Sequence, residues 1–209
     1  VGCYLVLRRM SLMGDAIAHA VLPGLVLAIA FSGTMNIVPL FVGAVAVGLL
    51  TTFLTQTLHQ YGRVPTDAAM GAVFTSFFAL GVVLLKRYVD RLHFDVACVF
   101  EGSLAYAALD TIGVAGVELP RQVLTIAPVV VLNMAVILLF WKELKISTFD
   151  PALATTMGYS ATAMHYLLMA LVAVTCVASF EAVGSILVVA LLIPPPATAH
   201  LLNDRLGPM

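Results

Sequence analysis

The sequence predicts an all-α, polytopic membrane protein with about six complete transmembrane helices and one short helix outside the lipid. Of its 209 residues, 62% are hydrophobic and only 10% are charged, and the mean hydropathy is +1.08; soluble domains are far more polar. The apolar residues form runs near the length of about 20 residues that crosses a bilayer. The net charge of −1 leaves no basic excess, so a nucleic-acid partner is excluded.

Three complete crossings are predicted in the first half of the chain. After the tail of a truncated helix at residues 1–7, apolar runs follow at residues 15–31, 37–58 and 66–85. Thr66 is expected to cap the third of these helices. Because the chain opens on Val1 inside an apolar run and stops without a concluding element, we expect a single transmembrane domain, 1–209, that is truncated at both ends.

The second half contains a charged segment and three further crossings. Residues 88–120 carry too many charges for a lipid-facing helix, so we expect one or two short helices there, at the extracytoplasmic face. Residues 123–141 form the next crossing. The apolar run at residues 161–202 has roughly twice the length that one crossing needs, so we expect two crossings joined by a turn near residues 179–185.

Asp15 and His19 place a carboxylate and an imidazole inside the first complete apolar run. They are four positions apart, so a helix sets them on one face, where both can reach one cation or one hydrogen-bond network. Ionisable groups at bilayer depth are costly and face a cavity or a partner by default. We predict a polar pathway beside this pair. The alternative is that Asp15 caps a helix and His19 is an interior histidine.

A polar stretch at residues 149–158 carries its own helix start and stop signals. Asp150 suits the N-cap, Pro151 the first helical position and Gly158 the left-handed residue past the end. The predicted helix is too short to span a membrane. Counts of Lys and Arg in the loops favour its placement on the cytoplasmic side, together with Arg8. Such a helix offers a cytoplasmic motor a surface to push against; an interfacial helix without a partner is the alternative.

These residues resemble one family, the membrane-spanning permeases of ATP-binding-cassette (ABC) importers for manganese, zinc and, in some members, iron. Four segments carry the resemblance in the family's order: RRMSLMGDAIAHAVLPG (residues 8–24), PTDAAMGAVFTSFFALGVVLL (65–85), FDPALATTMGY (149–159) and EAVGSILVVALLIPPPATA (181–199). The first and third segments are the specific ones. Family members are longer than this chain at both ends, which agrees with a truncated sequence.

The resemblance implies a multi-pass permease of the bacterial plasma (inner) membrane that pairs with a second permease chain. It implies cytoplasmic ATP-binding subunits, an extracytoplasmic metal-binding protein, and a transported divalent ion, Mn²⁺ or Zn²⁺ and in some members Fe²⁺, with no tightly bound cofactor. It also implies that the short helix at 149–158 is a coupling helix that sits against the ATPase. Its candidate contact residues are Phe149, Asp150, Pro151, Ala154 and Gly158.

The resemblance also places candidate residues along the translocation path. Asp15 and His19 match the family's acidic and imidazole positions beside that path, and Glu101 and Glu181 are further acidic candidates where relatives usually have a neutral residue. Manganese and zinc accept carboxylate oxygen and imidazole nitrogen, and a conducting site must release its ion. A loose Asp/His pair meets that need better than the closed tetrahedral cage of a structural zinc site.

Two other function classes compete with an ABC permease. An ion-driven secondary metal transporter would use Asp15, His19 and Glu181 as a proton relay. An intramembrane metallo-enzyme is disfavoured, because the five histidines are scattered and none belongs to an HExxH motif. The 209 residues contain no GxxxxGK[ST] phosphate loop, so we expect a transporter subunit rather than an enzyme, with ATP hydrolysis in a separate partner.

Overall fold

The computed structural model describes residues 1–8, 10, 12–33, 37–88, 111–114 and 117–203. Its elements, in chain order, are α1 (Gly2–Leu7), α2 (Met13–Ala20), α3 (Leu22–Ser32), α4 (Ile37–Gly62), α5 (Thr66–Tyr88), β1 (Thr111–Val114), β2 (Val117–Pro120), α6 (Arg121–Leu139), α7 (Trp141–Phe149), α8 (Pro151–Thr156), α9 (Ala161–Val183), α10 (Ser185–Leu192) and α11 (Pro194–Leu202).

Six helical stretches among the described residues are long and apolar enough to cross a membrane. The first joins α2 to α3 and the last joins α10 to α11, so that six crossings are built from eight of the helices. Their bounds are Met13–Ser32, Val38–Gly62, Thr66–Tyr88, Gln122–Leu139, Ala161–Phe180 and Ser185–Leu202. The predicted all-α bundle of about six transmembrane helices is confirmed.

Helix α9 occupies the centre of the bundle and contacts α2, α4, α6 and α10. Its fully buried side chains are spaced three or four residues apart, so that they cover one broad face of the helix. They are Leu168, Met169, Val172, Ala173 and Cys176. Leu5, Met13 and Ile17 of α1 and α2 pack into the same core cluster. An apolar sequence therefore forms a solid core as well as a lipid-facing surface.

The first crossing is interrupted between α2 and α3. Val21 separates the two helices, and Pro23 lies in the first turn of α3, where a proline ring and its missing N–H are tolerated. Beyond this break, the main chains of α3 and α4 touch at Gly24 and Gly43. A Cβ atom on Gly43 would lie 2.6 Å from the carbonyl oxygen of Gly24, so the crossing requires two residues without side chains.

The last apolar run is broken where the sequence predicts a turn. Gly184 has a φ of +79° and separates α9 from α10, a conformation that favours glycine. A second break at Ile193 precedes the three prolines that begin α11. The predicted turn near residues 179–185 is confirmed.

Several predicted bounds need correction. Helix α4 extends to Gly62 and α5 to Tyr88, so each is longer than the apolar run that predicted it. The crossing predicted at residues 123–141 ends at Leu139, and a separate helix, α7, follows it. The first two predictions ended too early, because the helical backbone continues beyond the apolar segment that a bilayer covers; the third ended two residues too late.

The segment at residues 88–120 differs more from expectation. Its described part forms an antiparallel hairpin in which Thr111 pairs with Pro120 and Val114 with Val117, so the prediction of short helices is wrong for both strands. The β-branched residues of TIGV favour an extended backbone, a signal that the count of charges concealed. Residues 89–110, including Glu101, lie outside the described residues.

Candidate functional site

Helix α2 carries the carboxylate and imidazole pair predicted from the sequence. The Nε2 atom of His19 lies 3.5 Å from Oδ1 of Asp15, and the side chains are 39% and 51% exposed respectively. The imidazole ring also packs against two rings of α5, with centroids 6.1 Å from Phe74 and 6.0 Å from Phe78. The two polar groups thus share one open side of the chain, with one flank closed by aromatic rings.

The pair points outward because the rest of α2 is buried. Met13, Gly14, Ala16, Ile17 and Ala18 all face the bundle, and this leaves only one stripe of the helix uncovered. Asp15 lies in the first turn, but the N-cap position is occupied by Leu12 and no side chain caps the helix. The alternative in which Asp15 is an N-cap is therefore not what the structure shows.

The structure describes the side chains of two of the four predicted path residues, Asp15 and His19. Asp15 and His19 are in contact, Glu101 lies outside the described residues, and Glu181 lies on α9, with its side chain outside the described part. Within the described residues, no three His, Cys, Asp or Glu side chains are arranged to hold a metal ion. Within the described part, Asp15 and His19 are a pair rather than a cage, so a cation held between them would take most of its ligands from elsewhere, such as water or another chain.

Helix α8 has the caps that the sequence predicts. Oδ1 of Asp150 accepts a hydrogen bond from the Leu153 amide at 2.9 Å, and Pro151 stands in the first turn. At the other end, Gly158 has a φ of +86°, and the amides of Gly158 and Tyr159 donate to the carbonyls of Thr155 and Ala154. These two hydrogen bonds form a Schellman motif at the C-terminal end. Together with the Asp150 cap, the motif fixes both ends of a helix of six residues.

The α8 segment presents an apolar surface away from the bundle. Phe149, Leu153 and Met157 are each at least half exposed, whereas Ala154 is fully buried. Ala154 therefore anchors the helix against the bundle, and the outward contact surface contains Leu153 and Met157, which the sequence reasoning did not single out. Their spacing of four residues was a signal that could have found them. We call Phe149, Leu153 and Met157 the outer stripe.

A hydrogen-bonded cluster lies behind α8, at the same end of the bundle. The Arg8 guanidinium donates to Oγ1 of Thr148 at 3.2 Å, to Oγ of Ser147 at 3.1 Å and to Nδ1 of His165 at 2.8 Å. Burial lowers the pKa of Arg8 from its ordinary value, but an arginine in a protein stays protonated. We call these four residues the Arg8 cluster.

The Arg8 cluster borders a cavity of about 570 Å³. The lining comes from the ends of α1, α4, α5, α7, α8 and α9 and from the residues that follow α1. It consists of Leu7, Arg8, Met10, Gln56, His59, Thr66, Asp67, Ser147, Thr148, Pro151 and His165. The structure thus brings Arg8, the connection between α4 and α5, and the short helix α8 to one end of the bundle. Arg8 and the short helix thus lie at the same end of the bundle, as the counts of Lys and Arg in the loops favour.

Six apolar crossings, with a polar pair on one of them and a capped helix at one end, define a multi-pass helical membrane protein. The family model described as the ABC 3 transport family matches residues 1–209. The chain belongs to this family, and the resemblance predicted from its motifs is confirmed.

Curated relatives and one solved structure agree with this membership. The chain is 46% identical to the manganese transport system membrane protein MntD of Bacillus subtilis, over 99% of this chain and 70% of that protein. It is 45% identical to the zinc transport system membrane protein TroD of Treponema pallidum, over 93% of this chain and 53% of that protein.

The solved structure is that of PsaBC from Streptococcus pneumoniae in complex with Fab. A chain of that complex matches 99% of this chain with a TM-score of 0.74 and 34% identity, and 68% of its own length is covered. The present sequence therefore spans about half to seven-tenths of the length of these proteins.

Proposed function

We propose that this chain is the translocation subunit of an ABC importer for divalent metal ions, Mn²⁺ or Zn²⁺ and, as in some members of the family, Fe²⁺. In this proposal it works with a second permease chain, cytoplasmic ATP-binding subunits and an extracytoplasmic metal-binding protein in the bacterial plasma membrane. The relatives named for manganese and zinc transport support the cargo. The ion is substrate, and the chain needs no resident cofactor.

The observation that carries the proposal is the half-exposed pair Asp15 and His19 on a membrane-spanning helix. A carboxylate and an imidazole directed at lipid would be costly, so their open side is expected to be covered by a water-filled path or by the second permease chain. Their ligand atoms suit Mn²⁺, Zn²⁺ and Fe²⁺ alike. The separation of 3.5 Å between their polar atoms is longer than an ordinary hydrogen bond, which suits a site that must bind an ion and then release it.

The outer stripe on α8 supports the ATP-binding partner. Leu153 on the capped helix, with Phe149 before it and Met157 after it, forms an apolar surface that a cytoplasmic subunit can cover. Asp150 and Gly158 hold that surface in place through the caps, and Ala154 holds it against the bundle. In this proposal α8 is the coupling helix, and that end of the bundle is cytoplasmic.

The test is metal uptake by the full-length protein, reconstituted with its ATP-binding subunits and its metal-binding protein in proteoliposomes. Asp15→Asn and His19→Gln should each lower ATP-dependent uptake of ⁵⁴Mn²⁺ or ⁶⁵Zn²⁺ by at least about tenfold, because each removes a ligand from a pair with no third protein ligand among the described residues. Asp67→Asn is the matched control, since Asp67 is an exposed carboxylate in the first turn of α5.

Two results would contradict the proposal. Unchanged uptake by both variants, with the protein still in the membrane, would show that the pair is not on the path. Uptake by the permease chains alone, driven by a proton gradient without ATP, would favour the ion-driven secondary transporter instead.

A further inference from the structure

We propose that Arg8 is a positioning residue that links the coupling helix α8 to α2, the helix of the Asp15 and His19 pair. This inference rests on the proposed function, and it assigns a role to a side chain that touches neither the metal pair nor the outer stripe. Its basis is the Arg8 cluster, in which one guanidinium joins elements that are 139 to 157 positions apart in the sequence.

The first half of the link runs from Arg8 to α8. Ser147 and Thr148 are on the last turn of α7, immediately before Phe149 and the N-cap Asp150. Both hydroxyl groups also donate to the carbonyl of Leu144, and Leu144 is fully buried. The guanidinium therefore holds a rigid turn rather than two mobile side chains, and displacement of α8 is transmitted to it.

The second half of the link runs from Arg8 to α2. The Arg8 amide donates to Tyr4 and the Met10 amide to Leu5, and the Met13 amide donates to the carbonyl of Met10 at 3.1 Å. Met10 and Met13 are buried in the main core cluster. Arg8 and Met10, in the described part of the connection, are therefore hydrogen-bonded to α1 and to the first residue of α2, and Asp15 follows Met13 within the first turn of α2.

The third partner, His165, restricts the geometry of the cluster. A guanidinium has only donors, so Nδ1 of His165 must accept the bond at 2.8 Å, which places the proton of the neutral ring on Nε2. His165 lies in the first turns of the central helix α9. Arg8 is therefore held against the one helix that contacts α2, α4, α6 and α8.

The chemistry of the cluster requires arginine rather than any cation. Among the described residues, the only carboxylate within ion-pair distance of a basic group is Asp15, next to His19, so Arg8 is held by neutral acceptors through its planar fork of donors. Lysine has the same charge but a single ammonium group, and it does not reproduce three fixed directions. Charge alone should therefore not restore the link.

The experiment compares Arg8→Gln and Arg8→Lys with Arg63→Gln in the full-length complex in proteoliposomes. Arg63 is a matched control, because it is an exposed arginine at the same end of the bundle. The quantity measured is the number of Mn²⁺ or Zn²⁺ ions taken up per ATP hydrolysed. Both Arg8 variants should keep ATP hydrolysis within about twofold of the wild type, and uptake per ATP should fall about tenfold, because the hydrogen bonds from the guanidinium to Ser147, Thr148 and His165 are lost or weakened.

Thr148→Val provides a second test from the other side of the bond. It should lower uptake per ATP in the wild-type background and have a smaller effect in the Arg8→Gln background, because both substitutions break the bond between Arg8 and Thr148, while Thr148→Val also removes the bond from Thr148 to the Leu144 carbonyl. Wild-type uptake per ATP in Arg8→Gln, or fully additive effects in the double variant, would overturn the proposal. Full activity of Arg8→Lys would reduce the role of Arg8 to its charge and would also overturn it.

Amide hydrogen exchange separates this inference from the proposed function. In detergent, without ATP or metal, Arg8→Gln should speed exchange in two places, the α8 segment at residues 153–159 and the first turn of α2, and Arg63→Gln should do so in neither. A wild-type complex with no ATP-dependent uptake would count against the proposed function only. Unchanged exchange in Arg8→Gln at both places would overturn the link itself.

Discussion

The bundle holds polar groups in two opposite ways. On α2, the nearest polar atoms of Asp15 and His19 lie 3.5 Å apart, and the two side chains are 51% and 39% exposed. In the Arg8 cluster, one guanidinium makes three hydrogen bonds to Ser147, Thr148 and His165. The difference follows from what each region must do, because an ion has to enter and leave a path, whereas a mechanical connection must keep its partners together.

The difference between the two regions is tested most directly by replacing one residue of each region with leucine and comparing the stability of the two variants. Arg8→Leu should lower the free energy of unfolding by about 2–3 kcal/mol, because three acceptors lose a charged donor at a partly buried site. Asp15→Leu should change it by no more than about 0.5 kcal/mol, because the side chain is half exposed and makes one weak contact. Thermal unfolding in detergent measures both changes. Equal losses in the two variants would remove the distinction.

Gly158→Val tests whether the C-terminal motif of α8 is needed to keep the outer stripe in a fixed position relative to the Arg8 cluster. A β-branched residue at a φ of +86° costs about 1–2 kcal/mol, so the Schellman motif should open and the Tyr159 amide should exchange faster. We expect ATP hydrolysis to continue with less metal uptake. Gly71→Ala is the control, since an added Cβ meets no atom within 4 Å there and alanine favours a helix. Unchanged coupling in Gly158→Val would make α8 a linker.

Asp150→Ala should give the smallest effect of the three. Loss of the bond from the Leu153 amide to Asp150 removes an N-cap worth about 1 kcal/mol. The exchange rate of that amide should rise about fivefold while the Arg8 cluster stays protected. Asp67→Ala, at the start of a much longer helix, is expected to leave exchange in α8 unchanged. Faster exchange around Arg8 in Asp150→Ala would show that the cluster depends on the cap, rather than the reverse.

Local features of this fold could be predicted from the sequence. The caps of α8 depend on Asp150, Pro151 and Gly158 within nine positions, and the pairing of Asp15 with His19 depends on one helical turn. Each of these relations is set by short-range geometry. The number of crossings likewise depends on the length of apolar runs, which the bilayer fixes. These parts were predicted, and the structure has them.

Relations between distant residues could not be predicted in this way. Nothing in the sequence separation of Arg8 and His165 indicates that the end of α1 lies beside the start of α9. That contact depends on the packing of all the helices between them. The burial of Ala154 and the exposure of Leu153 depend in the same way on how α8 lies against the bundle. The hairpin at Thr111–Pro120 was missed for a simpler reason, since charge was weighed above β-branching.

The contact of Gly24 with Gly43 has a consequence for how this molecule can change shape. Two helices whose main chains touch cannot slide past each other without first separating, so we expect α3 and α4 to move as one unit. Val21, which joins α2 to α3, keeps right-handed helical backbone angles, so α2 continues from a segment that the Gly24 contact holds in place. A change in the angle between α2 and α4 would therefore need a change of backbone conformation at Val21 or next to Pro23, whose missing N–H leaves one fewer hydrogen bond in the crossing.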